Sequence, residues 1–70
     1  MFEIDFADNL RVLRLKKQFT QKELAELVGV AQPAIADYES GKYKPKFDVA
    51  TRLAKIFDVT VETLYSGQTE

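Results

Sequence analysis

The sequence predicts a small all-α domain built from five helices. Three observations carry this prediction: apolar residues recur at helical spacing, capping residues precede the periodic runs, and glycine or proline follows them. A chain of 70 residues has room for one hydrophobic core. We therefore expect residues 1–70 to form a single domain, with a frayed tail at 67–70.

The first helix is expected at residues 6–18, with Asp5 as its N-cap. Its apolar side chains follow the four-then-three spacing of one helix face. They are Phe6, Leu10 and Leu13. Because each residue advances about 100° around a helix, Val12 and Leu15 fall on the opposite side. They are either scattered surface aliphatics or contacts to a partner.

A second helix begins at a capping box, in which Thr20 and Glu23 satisfy each other's backbone amides. It is expected to end at Val28, because Gly29 adopts the left-handed conformation without strain. Its expected apolar face consists of Leu24, Leu27 and Val28. A third helix follows over residues 32–40 after a connection of three residues. Ala31 precedes it without a capping side chain, and Ser40-Gly41 ends it.

A basic loop at residues 42–46 separates this helix from a fourth, expected at 47–57, and Pro45 prevents a continuous helix. The stripe of the fourth helix is Ala50, Leu53, Ala54 and Phe57. Thr60 caps a last helix at 61–65. The remaining boundary signals are Val59 with Leu64 as a hydrophobic staple and Gly67 as the final stop.

The composition excludes several classes of protein. The chain contains no cysteine and no histidine, so it lacks the thiolate nucleophile, the commonest general base and the commonest metal ligand. We expect no enzyme, no cofactor, no metal and no small-molecule substrate; the carboxylate pairs Glu23 with Glu26 and Asp5 with Asp8 are explained by capping and solubility. No apolar run approaches the roughly 20 residues that cross a bilayer, so we expect a cytoplasmic protein without a membrane partner.

Charge is unevenly distributed along the chain, although the net charge is only −1. Residues 1–8 carry three acids and no base, and residues 47–70 carry four acids against two bases. Residues 9–46 carry eight bases against four acids, a net charge of +4. The basic middle of the chain is therefore the expected side for an anionic partner.

The second and third helices have the proportions of a helix-turn-helix, in which the first helix braces the second at a steep angle. Small and apolar residues stand where the crossing helices and the turn need them. The positions are Gln21, Leu24, Ala25, Gly29, Val30, Ile35, Tyr38, Glu39 and Gly41. At this spacing they resemble the phage repressor and Cro family of helix-turn-helix domains, and the resemblance covers about residues 6–66.

The resemblance implies a sequence-specific DNA-binding transcriptional regulator, expected to be a repressor, whose helix 32–40 reads the major groove of an operator. With Ile35 and Tyr38 packed inward, the opposite face is expected to meet the bases. Its members are Gln32, Pro33, Ala36 and Asp37. Gln32 suits adenine because its amide donates and accepts at once; its alternative is a solvated surface glutamine.

The resemblance also implies phosphate contacts, with double-stranded DNA as the partner. In the family, the glutamine at the start of the second helix holds a phosphate and braces the reading helix. Gln21 matches it, so the resemblance implies both roles for Gln21; an ordinary first-turn polar residue is the alternative. The remaining phosphate candidates are Lys22, Ser40, Lys42, Lys44 and Lys46. A merely solvated basic loop is the alternative for the last three.

Glu39 lies next to Tyr38 and four residues after Ile35, so its carboxylate is directed toward the packed side and needs a cation. In the family the matching glutamate pairs with an arginine of the first helix, a position that Arg14 occupies here. We therefore expect a structural ion pair between Arg14 and Glu39.

The reading face departs from the family because it is poor in hydrogen-bond donors. The departures are Ala31, Pro33, Ala34, Ala36 and Asp37. Alanine and proline suit thymine methyl groups, and Asp37 either accepts from cytosine or repels phosphates. An alternative function is therefore open: a protein interaction module that acts on a related regulator.

A homodimer on a two-fold symmetric site is the expected assembly, because one such domain covers little DNA. Apolar residues near the chain ends are candidates for its interface, with core packing as the alternative for each. They are Phe2, Ile4, Phe57, Val61 and Tyr65.

Overall fold

The computed structural model describes residues 5–66 and confirms the all-α prediction with five helices in this part of the chain. They are α1 (Phe6–Lys16), α2 (Gln21–Val28), α3 (Gln32–Ser40), α4 (Phe47–Phe57) and α5 (Val61–Ser66). Each begins at the predicted residue. The predictions for Phe2, Ile4, the stop at Gly67 and the tail at 67–70 lie outside the described residues.

Side-chain caps define three of the helix starts. The Asp5 carboxylate accepts from the amide of Asp8 at 3.0 Å. The Thr20 hydroxyl accepts from the Glu23 amide at 3.0 Å, and the Glu23 carboxylate accepts from the Thr20 amide at 2.8 Å, which completes the predicted capping box. The Thr60 hydroxyl caps α5 in the same way, at 3.0 Å.

The first four helices end in a common manner. A residue in the left-handed conformation lies just after the end of each of these helices. The backbone amide of the residue after it donates to the carbonyl five positions earlier in the chain, at 3.0 or 3.1 Å. The left-handed residues are Gln18, Gly29, Gly41 and Asp58, with φ of 62°, 85°, 83° and 58°. The sequence predicted that α1 ends at Gln18, but the helix ends at Lys16. The reason is the left-handed conformation of Gln18, because a left-handed residue cannot continue a right-handed helix.

The core takes one completely buried aliphatic side chain from every helix. These are Leu10, Leu24, Ile35, Leu53 and Leu64. Helix α1 packs against α3 and α5, while α2 packs against α3 and α4. Removal of any one of these side chains would leave a cavity that touches several helices, so the five elements depend on a single packed centre.

Leu27 corrects the prediction for the apolar face of α2. The structure leaves its side chain 55% exposed and buries Ala25 in its place. Val28 and Ala25 are three residues apart on one face, and Leu27 lies about 100° round the helix from Val28, on the side away from Ala25. The small alanine side chain lets α3 approach α2 closely, which turns Leu27 toward solvent.

Val12 and Leu15 are exposed, as their position on α1 predicted.

Phe57, a candidate for a dimer interface, lies instead in the core of the domain with only 5% exposure. Tyr65 is half-buried: its ring stacks on Phe6 with centroids 4.7 Å apart, and its hydroxyl donates to the carbonyl of Pro45 at 3.4 Å. Desolvation by burial, with nearby Tyr38 contributing, raises the pKa of Tyr65 above its ordinary 10.0. Val61 packs half-buried against the same core. The C-terminal aromatic residues therefore serve the fold of one chain.

Asn9 is a buried polar residue that the sequence pattern did not identify. Its amide nitrogen donates to the carbonyls of Thr63 and Leu64, at 3.2 and 2.8 Å. These carbonyls belong to the last turn of α5, where helix carbonyls have no partner within the helix. Asn9 thereby joins the first helix to the last.

Substitutions at two of the left-handed residues, Gly29 and Asp58, should change the free energy of unfolding in opposite directions. Gly29→Ala introduces no clash, since nothing lies within 4 Å of the added Cβ, but it forces alanine into left-handed backbone at a cost of about 1–2 kcal/mol. Asp58→Gly removes a side chain from such a position and should raise stability by up to ~1 kcal/mol. Urea denaturation of both variants measures the two effects, with exposed Glu26→Ala as the control. Equal behaviour of the two variants would contradict this account.

Candidate nucleic-acid interface

Helices α2 and α3 form the predicted helix-turn-helix, connected by residues 29–31. Gly29 adopts φ of 85°, and the Val30 amide donates to the Ala25 carbonyl at 3.0 Å, so the chain turns sharply after α2. Ala25, only 2% exposed, lies in the core beneath this turn. The orientation of α3 is thus set by a backbone turn and a small side chain.

The C-terminal end of α3 is held by the predicted ion pair. The Arg14 guanidinium donates from Nε to Glu39 Oε2 at 2.6 Å and from Nη2 to Oε1 at 3.1 Å. The side chains are 12% and 5% exposed, so the pair is largely removed from water. Nη1 of the same guanidinium donates to the Phe19 carbonyl at 2.8 Å. A two-bond pair of this kind fixes direction as well as distance.

Gln21 adds α2 to this network. Its Nε2 donates to Glu39 Oε1 at 3.2 Å, so three helices meet at one carboxylate. A side-chain amide carries two N–H groups, and the bond to Glu39 uses one of them. The second stays compatible with a contact to another acceptor, such as the phosphate that the resemblance assigns to this position.

The four predicted base-reading residues differ in exposure. Gln32 and Pro33 in the first turn of α3 are exposed, whereas Ala36 and Asp37 one turn later are half-buried. Ile35 on the opposite side is fully buried, as predicted, but Tyr38 is only half-buried. The N-terminal turn of α3 is therefore its most accessible part.

The basic loop begins on the backbone of α3. The amides of Lys42 and Tyr43 donate to the carbonyl of Asp37, at 3.0 and 3.5 Å, and the Ser40 hydroxyl donates to the same oxygen at 3.0 Å. Pro45 is buried, which holds the middle of the loop against the domain. The lysines of the loop are all exposed; they are Lys42, Lys44 and Lys46. The structure therefore ties the start of this cationic loop to the predicted reading helix.

Two further basic residues, Lys22 and Arg11, differ in their neighbours. Lys22 is exposed on α2, next to Gln21. Arg11 on α1 pairs at 3.5 Å with Asp8, and both side chains are more than half exposed, so this ion pair contributes little to stability.

Residues 5–66 contain no group of three or more His, Cys, Asp or Glu side chains arranged to hold a metal ion. In the same part of the chain, no helix has the length and apolar character needed to span a membrane.

Comparison with known proteins agrees with this geometry. A helix-turn-helix family model matches residues 10–64. The HTH-type transcriptional activator BcrR of Enterococcus faecalis is 38% identical over 65 residues, which are 93% of this chain and 32% of that protein. An uncharacterized HTH-type transcriptional regulator of Archaeoglobus fulgidus is 39% identical over 56 residues, 80% of each chain.

Coverage of the curated relatives varies. The chain spans about a third of the length of BcrR and 54% of the uncharacterized regulator YqaE of Bacillus subtilis, to which it is 32% identical.

Solved structures match over the same region. The P22 c2 repressor in complex with a synthetic operator superposes with a TM-score of 0.88 at 25% identity, covering 93% of this chain and 98% of that one. The biofilm regulator SinR in complex with DNA superposes with a TM-score of 0.78 at 27% identity, covering 84% of this chain and 95% of that one.

The network at Glu39 predicts a large loss of stability from a single substitution. Arg14→Met leaves the Glu39 carboxylate buried without its cation and should cost about 3–5 kcal/mol, comparable to the whole stability of a domain this small. The double variant Arg14→Met with Glu39→Leu removes the unpaired charge and should be more stable than Arg14→Met alone. Thermal melts followed by circular dichroism test both statements. An unchanged melting temperature for Arg14→Met would rule out a structural role for the pair.

Proposed function

This chain belongs to the helix-turn-helix family, and we propose that it is a sequence-specific DNA-binding transcriptional regulator. The observation that carries the proposal is the fixed relation between α3 and its surroundings. The Glu39 network holds one end of the helix, its first turn is open, and a loop with three exposed lysines starts from its Asp37 carbonyl. This arrangement supports insertion of α3 into the major groove with cations beside it.

Base recognition is assigned to the face of α3 opposite Ile35. Gln32 pairs its amide with the N6 and N7 groups of adenine. Asp37 accepts from the N4 amino group of cytosine, while Pro33 and Ala36 contact thymine methyl groups. Ala36 and Asp37 are half-buried whereas Gln32 and Pro33 are exposed, so we expect Gln32 and Pro33 to be the first to meet a base edge.

Phosphate contacts are assigned to a larger set around this helix. Gln21 uses its second amide N–H while its first remains on Glu39. The other members are Lys22, Ser40, Lys42, Lys44 and Lys46. The Ser40 hydroxyl donates to the Asp37 carbonyl at 3.0 Å, so it must rotate away from that hydrogen bond before it can donate to a phosphate.

We propose further that the protein works in the cytoplasm as a repressor, without catalysis, by occupying an operator. Occupancy needs only the DNA-binding fold, which this chain shares with the P22 c2 repressor. A single domain of this type covers about 600–1,000 Å² of surface. Two copies on a two-fold symmetric site, with half-sites about one helical turn apart, supply the missing contact area.

Selection from a randomised duplex pool tests the proposed function directly. We expect a two-fold symmetric sequence to be enriched. Titration of that duplex by fluorescence anisotropy should show affinity falling steeply with salt, by about 0.9 logarithmic units per tenfold salt for each phosphate contact. Lys44→Ala should reduce this slope by about one contact and weaken all sequences alike. Sedimentation of the complex should show two copies per duplex.

The role of Asp37 gives a second test. If Asp37 accepts from cytosine, Asp37→Ala relaxes the preference at one base pair by about 1–3 kcal/mol and leaves the others unchanged. Glu62→Ala on α5 is the control, since it makes the same change in net charge at an exposed acid of another helix. Uniformly tighter binding to every duplex would show that Asp37 only repels phosphates.

The donor-poor face of α3 and the net charge of −1 favour one other candidate, a protein interaction module that pairs with a related regulator. The duplex selection separates the two functions. Enrichment of no sequence, together with weak binding at low salt, would contradict the regulator proposal and support the interaction module.

A further inference from the structure

A groove lies along α2 and the turn that precedes it. It has a volume of about 340 Å³ and is lined by Phe19, Glu23, Glu26 and Leu27. We call it the α2 groove. Leu27 is 55% exposed, so the groove offers unburied apolar surface together with two carboxylates.

The charge of the α2 groove identifies the kind of group that fits it. Glu26 is exposed, and Glu23 uses one carboxylate oxygen on the Thr20 amide at 2.8 Å. Two carboxylates repel the phosphates of nucleic acid. The complementary occupant is therefore an apolar side chain flanked by cations, which is a property of a protein segment.

The chain itself carries such a segment at the start of α4. Phe47 is 78% exposed, the most exposed of the large hydrophobic residues in the described part of the chain. Lys44 and Lys46 precede it and are also exposed, while the exposed Asp48 after it is 4.0 Å from the Arg52 guanidinium, so cations are in excess around the ring. We call residues 44–47 the basic-aromatic segment.

The basic-aromatic segment is held in place before any partner binds. Pro45 is buried, and its carbonyl accepts from the Tyr65 hydroxyl at 3.4 Å. The carbonyl of Phe47 accepts from the Thr51 hydroxyl at 2.8 Å. A segment ordered in advance loses little conformational entropy on binding. The exposure of Phe47 also means that it does not occupy the groove of its own chain.

We propose that copies of this chain associate head to tail, with Phe47 of one copy in the α2 groove of the next. The ring lies between Phe19 and Leu27, and the lysines of the segment approach Glu23 and Glu26. Each copy has one groove and one segment, so the contact is heterologous and grows without a fixed end. It differs from the two-fold contact proposed on DNA. The buried area is small, so the association is weak and transient.

Nuclear magnetic resonance of the full chain without DNA tests this proposal independently of the proposed function. In a dilution series of the ¹⁵N-labelled protein up to millimolar concentration, amide shifts should change at both the α2 groove and the basic-aromatic segment. Sedimentation equilibrium should show an average mass that rises past two copies. The absence of concentration-dependent shifts, or a mass that levels off at a dimer, would overturn the proposal.

Two exposed variants refine the test because neither substitution touches the core. Phe47→Ser and Leu27→Ser should each abolish self-association. A mixture of labelled Phe47→Ser with unlabelled Leu27→Ser restores one complete contact, so the labelled groove should shift while the labelled basic-aromatic segment does not. Leu15→Ser, at another exposed leucine, is the control and should associate as the original protein does. Shifts at both sites in the mixture, or at neither, would contradict a head-to-tail contact.

Charge reversal examines the electrostatic part separately. Glu26→Lys alone and Lys46→Glu alone should each weaken association at least tenfold. The chain carrying both substitutions restores opposite charges across the contact and should recover most of the affinity. If the double variant does not recover affinity, the lysines of the basic-aromatic segment do not pair with the carboxylates of the α2 groove.

Discussion

The two-bond ion pair between Arg14 and Glu39 is the interaction on which the proposed DNA-binding surface depends. It joins α1 to the C-terminal end of α3, and Gln21 adds the start of α2 to the same carboxylate. Buried charges of this kind demand partners in defined directions, because an unpaired carboxylate away from water is costly. The network therefore specifies the orientation of the proposed reading helix more closely than apolar packing alone, which tolerates small rotations and slides.

The domain separates its packed surface from the proposed recognition surface within very short helices. On α3, Ile35 faces the core while Gln32 and Pro33 face outward. The carbonyl of Asp37 receives three donors from the loop and from Ser40, so the end of the helix also becomes the anchor of the basic loop. One backbone oxygen thereby couples the position of the lysines to the position of the reading helix. The net charge of the chain is small although residues 9–46 are basic, because most of the acids lie before and after these residues.

The exposed apolar residues of this protein fall into two groups that differ in the charges around them. Val12 and Leu15 are single aliphatic residues on α1, of the kind that most protein surfaces carry. Leu27 and Phe47 differ because each has an excess of one charge beside it: Glu23 and Glu26 line the groove of Leu27, and Lys44 and Lys46 precede Phe47. Complementary charge is what distinguishes a pair of docking surfaces from chance exposure. The resemblance to DNA-binding domains explains neither residue, and both became visible only through the packing of α2 and the buried Pro45.

The sequence by itself determined the number, order and starting residues of the helices, because caps such as Asp5 and Thr20 act over three or four residues of the chain. It also indicated the family, through a pattern of spaced small and apolar residues, and the ionic partner of Glu39 through that resemblance. The apolar stripes of α1 and α4 were indicated as well, but only the tertiary structure decided the buried side of α2 and the partners of Asn9. Leu27 is turned outward and Ala25 inward, and Asn9 donates to carbonyls more than fifty residues away, since these outcomes depend on the approach of distant helices. Local hydrogen bonds are encoded locally, whereas burial is a property of the assembled core.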